Sequence, residues 1–217
     1  MKKPGARGQI LERIKNSAPG QKNDQNEITG KAQEKPSPVF PVSELPLTEQ
    51  FQQELEKIQG TFHSVKNREE LLNTLNKLHD HYRWPFVFCR DNELTEILKD
   101  AGLEVTSDMQ RFPETEATLT GCECLIAETG GVLVHSGSAS GRKLHFFPAV
   151  HMVMASPNQL VRTLEEALIK MEEQYGENLP SQITHIAGPS RTADIEKTLV
   201  MGAHGPKAVH VLLTEHK

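Results

Sequence analysis

From Trp84 to Leu213, short apolar runs alternate with amphipathic segments, and that alternation restricts the chain to few architectures. Phe86–Cys89 is an apolar run suited to a buried strand, and Asn92–Ala101 has helical spacing stopped by Gly102. Val105 marks a brief strand. Cys124–Ala127, Val132–His135 and Ala149–Ala155 are further apolar or alternating runs. Ser156-Pro157 has the form of a helix start, a capping side chain followed by proline at the first helical position. Leu160, Leu164, Leu168, Met171 and Tyr175 then mark an apolar stripe that Gly176 ends. Ile183–Ala187 reads as a strand, Thr192–Met201 as a helix closed by Gly202, and Ala208–Leu213 as a final strand. Such a succession predicts an α/β fold with a largely parallel, Rossmann-like sheet between helices.

Upstream the pattern is helical. Phe51, Leu55, Ile58 and Phe62 recur at helical spacing behind Thr48 as a candidate cap. Asn67 precedes a second stripe of Leu71, Leu72, Leu75 and Leu78. Two successive helices before any strand predict an N-terminal helical cap on a domain spanning 45–217. Residues 1–16 read as an arm whose Ile10, Leu11 and Ile14 share one stripe. Residues 17–44 are polar and interrupted by Pro and Gly, too poor in apolar surface to offset the entropy of ordering, and predict a flexible linker. The low hydrophobic fraction of 36% fits a chain that keeps part of itself outside its core.

Charge follows the same division. Residues 1–40 carry eight Lys/Arg against four Asp/Glu, and the rest carries 16 against 25. The basic cluster Lys2, Lys3, Arg7, Arg13 and Lys15 lacks interleaved aromatics, so it reads as a solvated tail rather than a nucleic-acid or membrane contact. No stretch approaches the roughly 18 apolar residues of a membrane span. Three cysteines, an odd number without a secretory signal, predict a reducing, cytoplasmic setting.

In open α/β sheets ligands sit beyond the carboxyl ends of strands, and two turns attract attention on that rule. Gly188-Pro189-Ser190-Arg191-Thr192-Ala193-Asp194 places a permissive glycine, a capping hydroxyl and a guanidinium where a helix is expected to begin. The exposed amides of such a turn could hold a carboxylate or phosphate; equally, Asp194 could simply complement the helix dipole. Glu128-Thr129-Gly130-Gly131 sets a carboxylate at a Gly-Gly turn between two strands, where it could serve as base or nucleophile or merely face water beside a hairpin-like turn. Ser136-Gly-Ser-Ala-Ser-Gly141 followed by Arg142, Lys143 and His145 reads as a small-residue flap with a basic edge. Cys122-x-Cys124 offers too few ligands for a zinc or iron–sulfur site, and His145, His151 and His204 read as hydrogen-bonded structural histidines. No G-x-G-x-x-G run indicates a nicotinamide, and no cofactor is expected.

Taken together, the run Thr120–Gly131, the Pro148–His151 segment, Gln159-Leu160-Val161, and above all Gly188–Glu196 with Gly202-Ala-His-Gly-Pro206 resemble the lactate-utilisation (LUD, LutC-like) family. The Ile10–Ile14 helix also resembles that family's opening helix. The resemblance implies a NagB/RpiA/CoA-transferase-like α/β sandwich. It further implies a non-redox part in oxidation of L-lactate to pyruvate beside iron–sulfur partner subunits. The motif positions it marks for a small carboxylate- or phosphate-bearing ligand are Thr129, Gly130, Gly131, Gly188, Ser190, Arg191, Thr192, Asp194, His204 and Gly205, to which the basic edge of the flap adds Arg142; no catalytic residue carries over, and Glu128 is the candidate catalytic group on the residue pattern alone. Gly131 departs from the family's pattern, in which many members carry Thr or Ser. The alternatives are a CoA-transferase- or sugar-phosphate-isomerase-like enzyme using Glu128, and an orphan ligand sensor on the same scaffold.

Overall fold

The computed structural model describes residues 43–193, 199–201 and 205–215, all within the compact unit Phe40–Lys217. The expected arm and all but the last two residues of the expected linker lie outside the described residues, as do Asp194 and His204.

Six strands form one parallel sheet in the order β1 (Thr61–Val65), β12 (Ala208–Thr214), β7 (Val150–Ala155), β4 (Ala117–Thr120), β2 (Val87–Phe88), β3 (Val105–Thr106). A second, mixed sheet runs β8 (Leu160–Val161), β5 (Cys124–Ile126), β6 (Gly131–His135), β9 (Ile183–Ile186). Four helices complete the described domain: α1 (Leu47–Lys57), α2 (Arg68–Tyr82), α3 (Asn92–Asp100) and α4 (Leu164–Tyr175).

The period-two alternation of the central strands sorts their side chains into layers. Val150, Met152 and Met154 of β7 and Leu212 of β12 pack with Leu71 and Leu75 of α2, Leu94 and Leu98 of α3, and Trp84 between α2 and β2. Val153 and Ala155, with Val211 and Leu213, face the other way, onto Leu125, Val132 and Val134 of the mixed sheet and onto Phe51 and Leu55 of α1. Cys124, Ile126 and Leu133 on the outer face of the mixed sheet are covered by Ala167 and Met171 of α4. The result is a layered α/β sandwich, the class the strand–helix alternation predicts. No described helix is long and apolar enough to cross a membrane.

Several local expectations hold for the reasons given. The Asn67 side chain accepts from the Glu70 amide, 2.9 Å away, and so caps α2. Gly102 has φ of +74°, the left-handed conformation that a stop after α3 requires.

Four expectations need correction. Phe62 belongs to β1, so the two opening helices are separated by a strand, and α1 begins after Pro46 rather than Thr48. Ala117–Thr120 is a fully buried strand that the sequence pattern missed. The Ser156-Pro157 start yields only one 3₁₀ turn, Pro157–Gln159, before β8; the helix itself begins at Leu164 behind Thr163, whose hydroxyl accepts from the Glu166 amide. Finally, the expected helix Thr192–Met201 is replaced by an antiparallel pair, β10 (Arg191–Ala193) with β11 (Leu199–Met201). Helix propensity is worth only tenths of a kcal/mol per residue, and the pairing prevails over it here.

Candidate functional site

The two turns nominated from sequence flank the C-terminal end of α1 and are packed against it. The Glu128 carboxylate accepts from the Leu164 amide at 2.8 Å, so it satisfies an otherwise unpaired donor at the start of α4. Thr129 Oγ1 lies 3.0 Å from His185 Nε2 and accepts from the Gly131 amide at 3.2 Å. Gly130 has φ of +63°, and a Cβ there would meet the backbone of Glu54 and Leu55; one on Gly131 would run into the His185 ring. A larger residue at 131 therefore needs His185 to move. Gly188, at φ of +79°, abuts the Ile58 carbonyl, and Arg191 donates to that same carbonyl at 2.8 Å. The Ser190 amide bonds Pro206 O at 2.8 Å, with Gly205 against the Ser190 side chain. Arg142 donates to Ser181 Oγ at 2.7 Å.

Arg191–Ala193 pairs with β11 as a strand instead of opening a helix, so among the described residues the amide cradle expected at Ser190 and Thr192 is not formed. The structure thus brings residues 128–131 and 188–191 to one helix end, but as packing. Neither turn lines either of the two cavities described next.

Those cavities open along the carboxyl edge of the parallel sheet. The first, of about 560 Å³, is bounded by residues just past five strand ends or at them: Arg68 after β1, Asp91 after β2, Gly121 after β4, Ser156 after β7, and Thr214 of β12. The second, of about 470 Å³, shares Asp91 and Gly121 with the first and continues over Glu123, His135, Tyr175 and the Ser138–Ser140 loop. Both are of the size that takes a small molecule.

Local chemistry fixes these walls. Asp91 Oδ1 caps α3, accepting from the Glu93 and Leu94 amides at 3.0 and 3.2 Å. Arg68, at the first position of α2, is paired with Asp100. Gln159 reaches back to the Ser156 amide at 2.9 Å and donates to the Cys122 carbonyl, tying the turn after β7 to the segment after β4. The first cavity's wall also carries Glu93 and Glu96, so carboxylates outnumber cations there.

Three side chains meet in the second cavity. Tyr175 Oη donates to Glu123 Oε2 at 3.0 Å, and His135 Nε2 lies 3.2 Å from the same oxygen and 3.2 Å from Tyr175 Oη. The Gly137 amide donates to His135 Nδ1 at 3.1 Å, which leaves Nε2 as the ring nitrogen that meets Tyr175 Oη and Glu123 Oε2. Burial, followed by the Glu123 contact, raises the Tyr175 hydroxyl above its ordinary pKa.

Behind this cavity the sheet carries a buried polar strip. Thr118 Oγ1 donates to the Leu144 carbonyl at 3.0 Å, and Thr120 Oγ1 lies 2.9 Å from His151 Nε2. Burial, and then the neighbouring His145, pushes the His151 imidazole down to about 3. His145 is lowered to about 4 by burial first and His135 second. Both are neutral at physiological pH, but only His151 is hydrogen-bonded, through Nε2; the two ring nitrogens of His145, expected to be hydrogen-bonded, are buried without a partner among the described residues. Cys89, Cys122 and Cys124 are free thiols, and burial raises the Cys124 thiol.

Asp91, Gly121, Glu123, His135 and Tyr175 were not singled out from sequence. The signal that could have found Gly121 and Asp91 is their place directly after strands β4 and β2, which required β4 to be recognised.

Comparison with known proteins fits this geometry into a family. The LUD domain family model matches residues 48–214. Lactate utilization protein C of Bacillus licheniformis is 30% identical over 136 residues, covering 61% of this chain and 54% of that protein. Lactate utilization protein C of a Geobacillus species is 36% identical over 100 residues, covering 45% and 42%. The chain therefore spans about half the length of the curated relatives it matches. A crystal structure of a DUF162 family protein from Deinococcus radiodurans superposes with a TM-score of 0.59 at 20% identity, covering 80% of this chain and 99% of that one. That likeness carries the fold alone, but with the family match over most of the chain the assignment is plain: this protein belongs to the LUD domain family.

Proposed function

We propose that this chain is a component of a lactate-utilisation system and that it works through the cleft at the carboxyl edge of its parallel sheet. The names of the relatives in two genera support the pathway. The observation that carries the site is the first cavity, bounded at five of six parallel strand ends, where α/β sheets hold their ligands.

In this reading the chain acts beside iron–sulfur subunits that oxidise L-lactate to pyruvate, and its cleft receives a small molecule or a segment of such a subunit. The carboxylates of the wall favour a partner segment over a small anion, because Asp91 and Glu93 oppose an incoming carboxylate, whereas Arg68 is already paired with Asp100 and Glu96 with Lys99.

Deletion of the gene followed by growth on L-lactate as sole carbon source tests the pathway. Growth is expected to fail and to return when the gene is supplied in trans. Unimpaired growth of the deletion strain would remove the basis of the proposal.

A further inference from the structure

The second cavity contains a cluster that lactate chemistry does not call for. Glu123, His135 and Tyr175 come from three elements, the segment before β5, the end of β6 and the end of α4, and converge at 3.0–3.2 Å. Gln174 donates to Tyr175 Oη at 3.0 Å and His135 Nε2 bonds the same oxygen at 3.2 Å, so the phenol proton is free to point at Glu123 Oε2. The Tyr175 hydrogen bond, with His135 Nε2 3.2 Å from the same carboxylate oxygen, holds the carboxyl group in a single orientation. Glu123 Oε1 accepts no hydrogen bond among the described residues, although the side chain is only 10% exposed and lines the cavity. Asp91, on the same wall, presents the same asymmetry: Oδ1 is occupied by the α3 amides, while Oδ2 accepts none among the described residues. No Lys or Arg lines this cavity, and its remaining polar groups are hydroxyls and amides such as Ser138, Ser140 and Asn178.

A carboxylate held in one orientation, with its second oxygen open to the cavity, is placed to receive a donor from a ligand. No Lys or Arg of the wall competes for that oxygen, so a cationic donor suits it best. We propose that the second cavity is a binding site for a small protonated amine, with Glu123 as the group that receives the ammonium, Asp91 as its second carboxylate, and His135 and Tyr175 as positioning residues. Ser138 and Ser140 offer hydroxyl contacts to the rest of the ligand. The site excludes lactate and pyruvate, whose carboxylates would face two others. This assignment stands independently of the lactate-utilisation reading.

The test is an NMR titration of the full chain with 1,4-diaminobutane and, separately, with L-lactate, each to about 10 mM, the weak end of specific affinities. The diamine is expected to give saturable amide shifts confined to residues 121–124, 135–140 and 175–178, and L-lactate none there. Glu123→Gln keeps the size and the acceptor but removes the charge, and it should weaken diamine binding about tenfold or more. Tyr175→Phe keeps the ring packed and removes one orienting donor, so binding should weaken by a smaller factor, which a ring that only packs would not produce. If Glu123→Gln fails to fold, Tyr175→Phe with the wild-type shift map carries the test. Absence of saturable shifts with the diamine, affinity unchanged in both variants, or L-lactate saturating the same amides would each overturn the assignment. None of these outcomes depends on whether the deletion strain grows on lactate.

Discussion

Glu128 Oε1 accepts the amide proton of Leu164 at 2.8 Å, so the carboxylate that the Gly-Gly turn presents as a nucleophile is the cap of helix α4. Thr163 serves the Glu166 amide, so the two side chains satisfy two of the free donors at the helix start. Glu128→Ala is expected to cost about 1 kcal/mol of stability, and Glu128→Gln, which keeps an acceptor oxygen, clearly less. Urea unfolding followed by circular dichroism measures both. Equal losses in the two variants would mean that the charge, not the hydrogen bond, is what matters.

Gly130 is required by two independent constraints, its positive φ and the backbone of α1 lying where a side chain would begin. Gly130→Ala should destabilise the fold by about 3 kcal/mol or more, because neither backbone can yield cheaply. The same unfolding experiment reads it. A loss below about 1 kcal/mol would show that the turn relaxes away from α1.

Three buried histidines set the acid limit of the fold. His145 and His210 are lowered to about 4 and His151 to about 3, each chiefly by burial; for His210 the neighbours His63 and His81 add to it. In the unfolded chain these rings titrate near 6.5. Between pH 6.5 and 4 the unfolded state thus binds protons that the folded state refuses. Stability is full above pH 6.5 and falls as pH drops, by up to about 3 kcal/mol per histidine at pH 4. His145→Leu should move the midpoint of acid unfolding to lower pH and flatten the slope between pH 6 and 4. An unchanged slope would mean that His145 is protonated in the fold.

Much of this architecture was legible in the residues. Runs that are apolar but for one histidine each, Val150–Ala155 with His151 and Ala208–Leu213 with His210, mark central strands buried on both faces, and Asn67 and Gly102 punctuate their helices as side-chain and backbone chemistry demand. The misses share a cause. Thr61–Val65 is an edge strand paired on one side only, and its Phe62 continues the spacing of α1. Ala117–Thr120 hides half its length behind two threonines, whose hydroxyls are buried only because Leu144 O and His151 Nε2 pair with them from far along the chain. Non-local partners of this kind leave no local trace. The turns that the residue pattern marks, Glu128–Gly131 and Gly188–Asp194, follow β5 and β9. Both belong to the mixed sheet, whereas the parallel edge ends in inconspicuous residues such as Asp91 and Gly121.

Gly121 lines both cavities, and a Cβ added there meets nothing within 4 Å. Gly121→Leu therefore fills the cleft while sparing the core, and its thermal midpoint should stay within about 2 °C of the parent. Complementation of the deletion strain on L-lactate by Gly121→Leu, run beside Glu128→Gln, decides where the site lies. The cleft at the parallel edge predicts that Gly121→Leu fails to restore growth and Glu128→Gln restores it; the reverse pattern, growth with a filled cleft and none with the altered cap, would contradict the account.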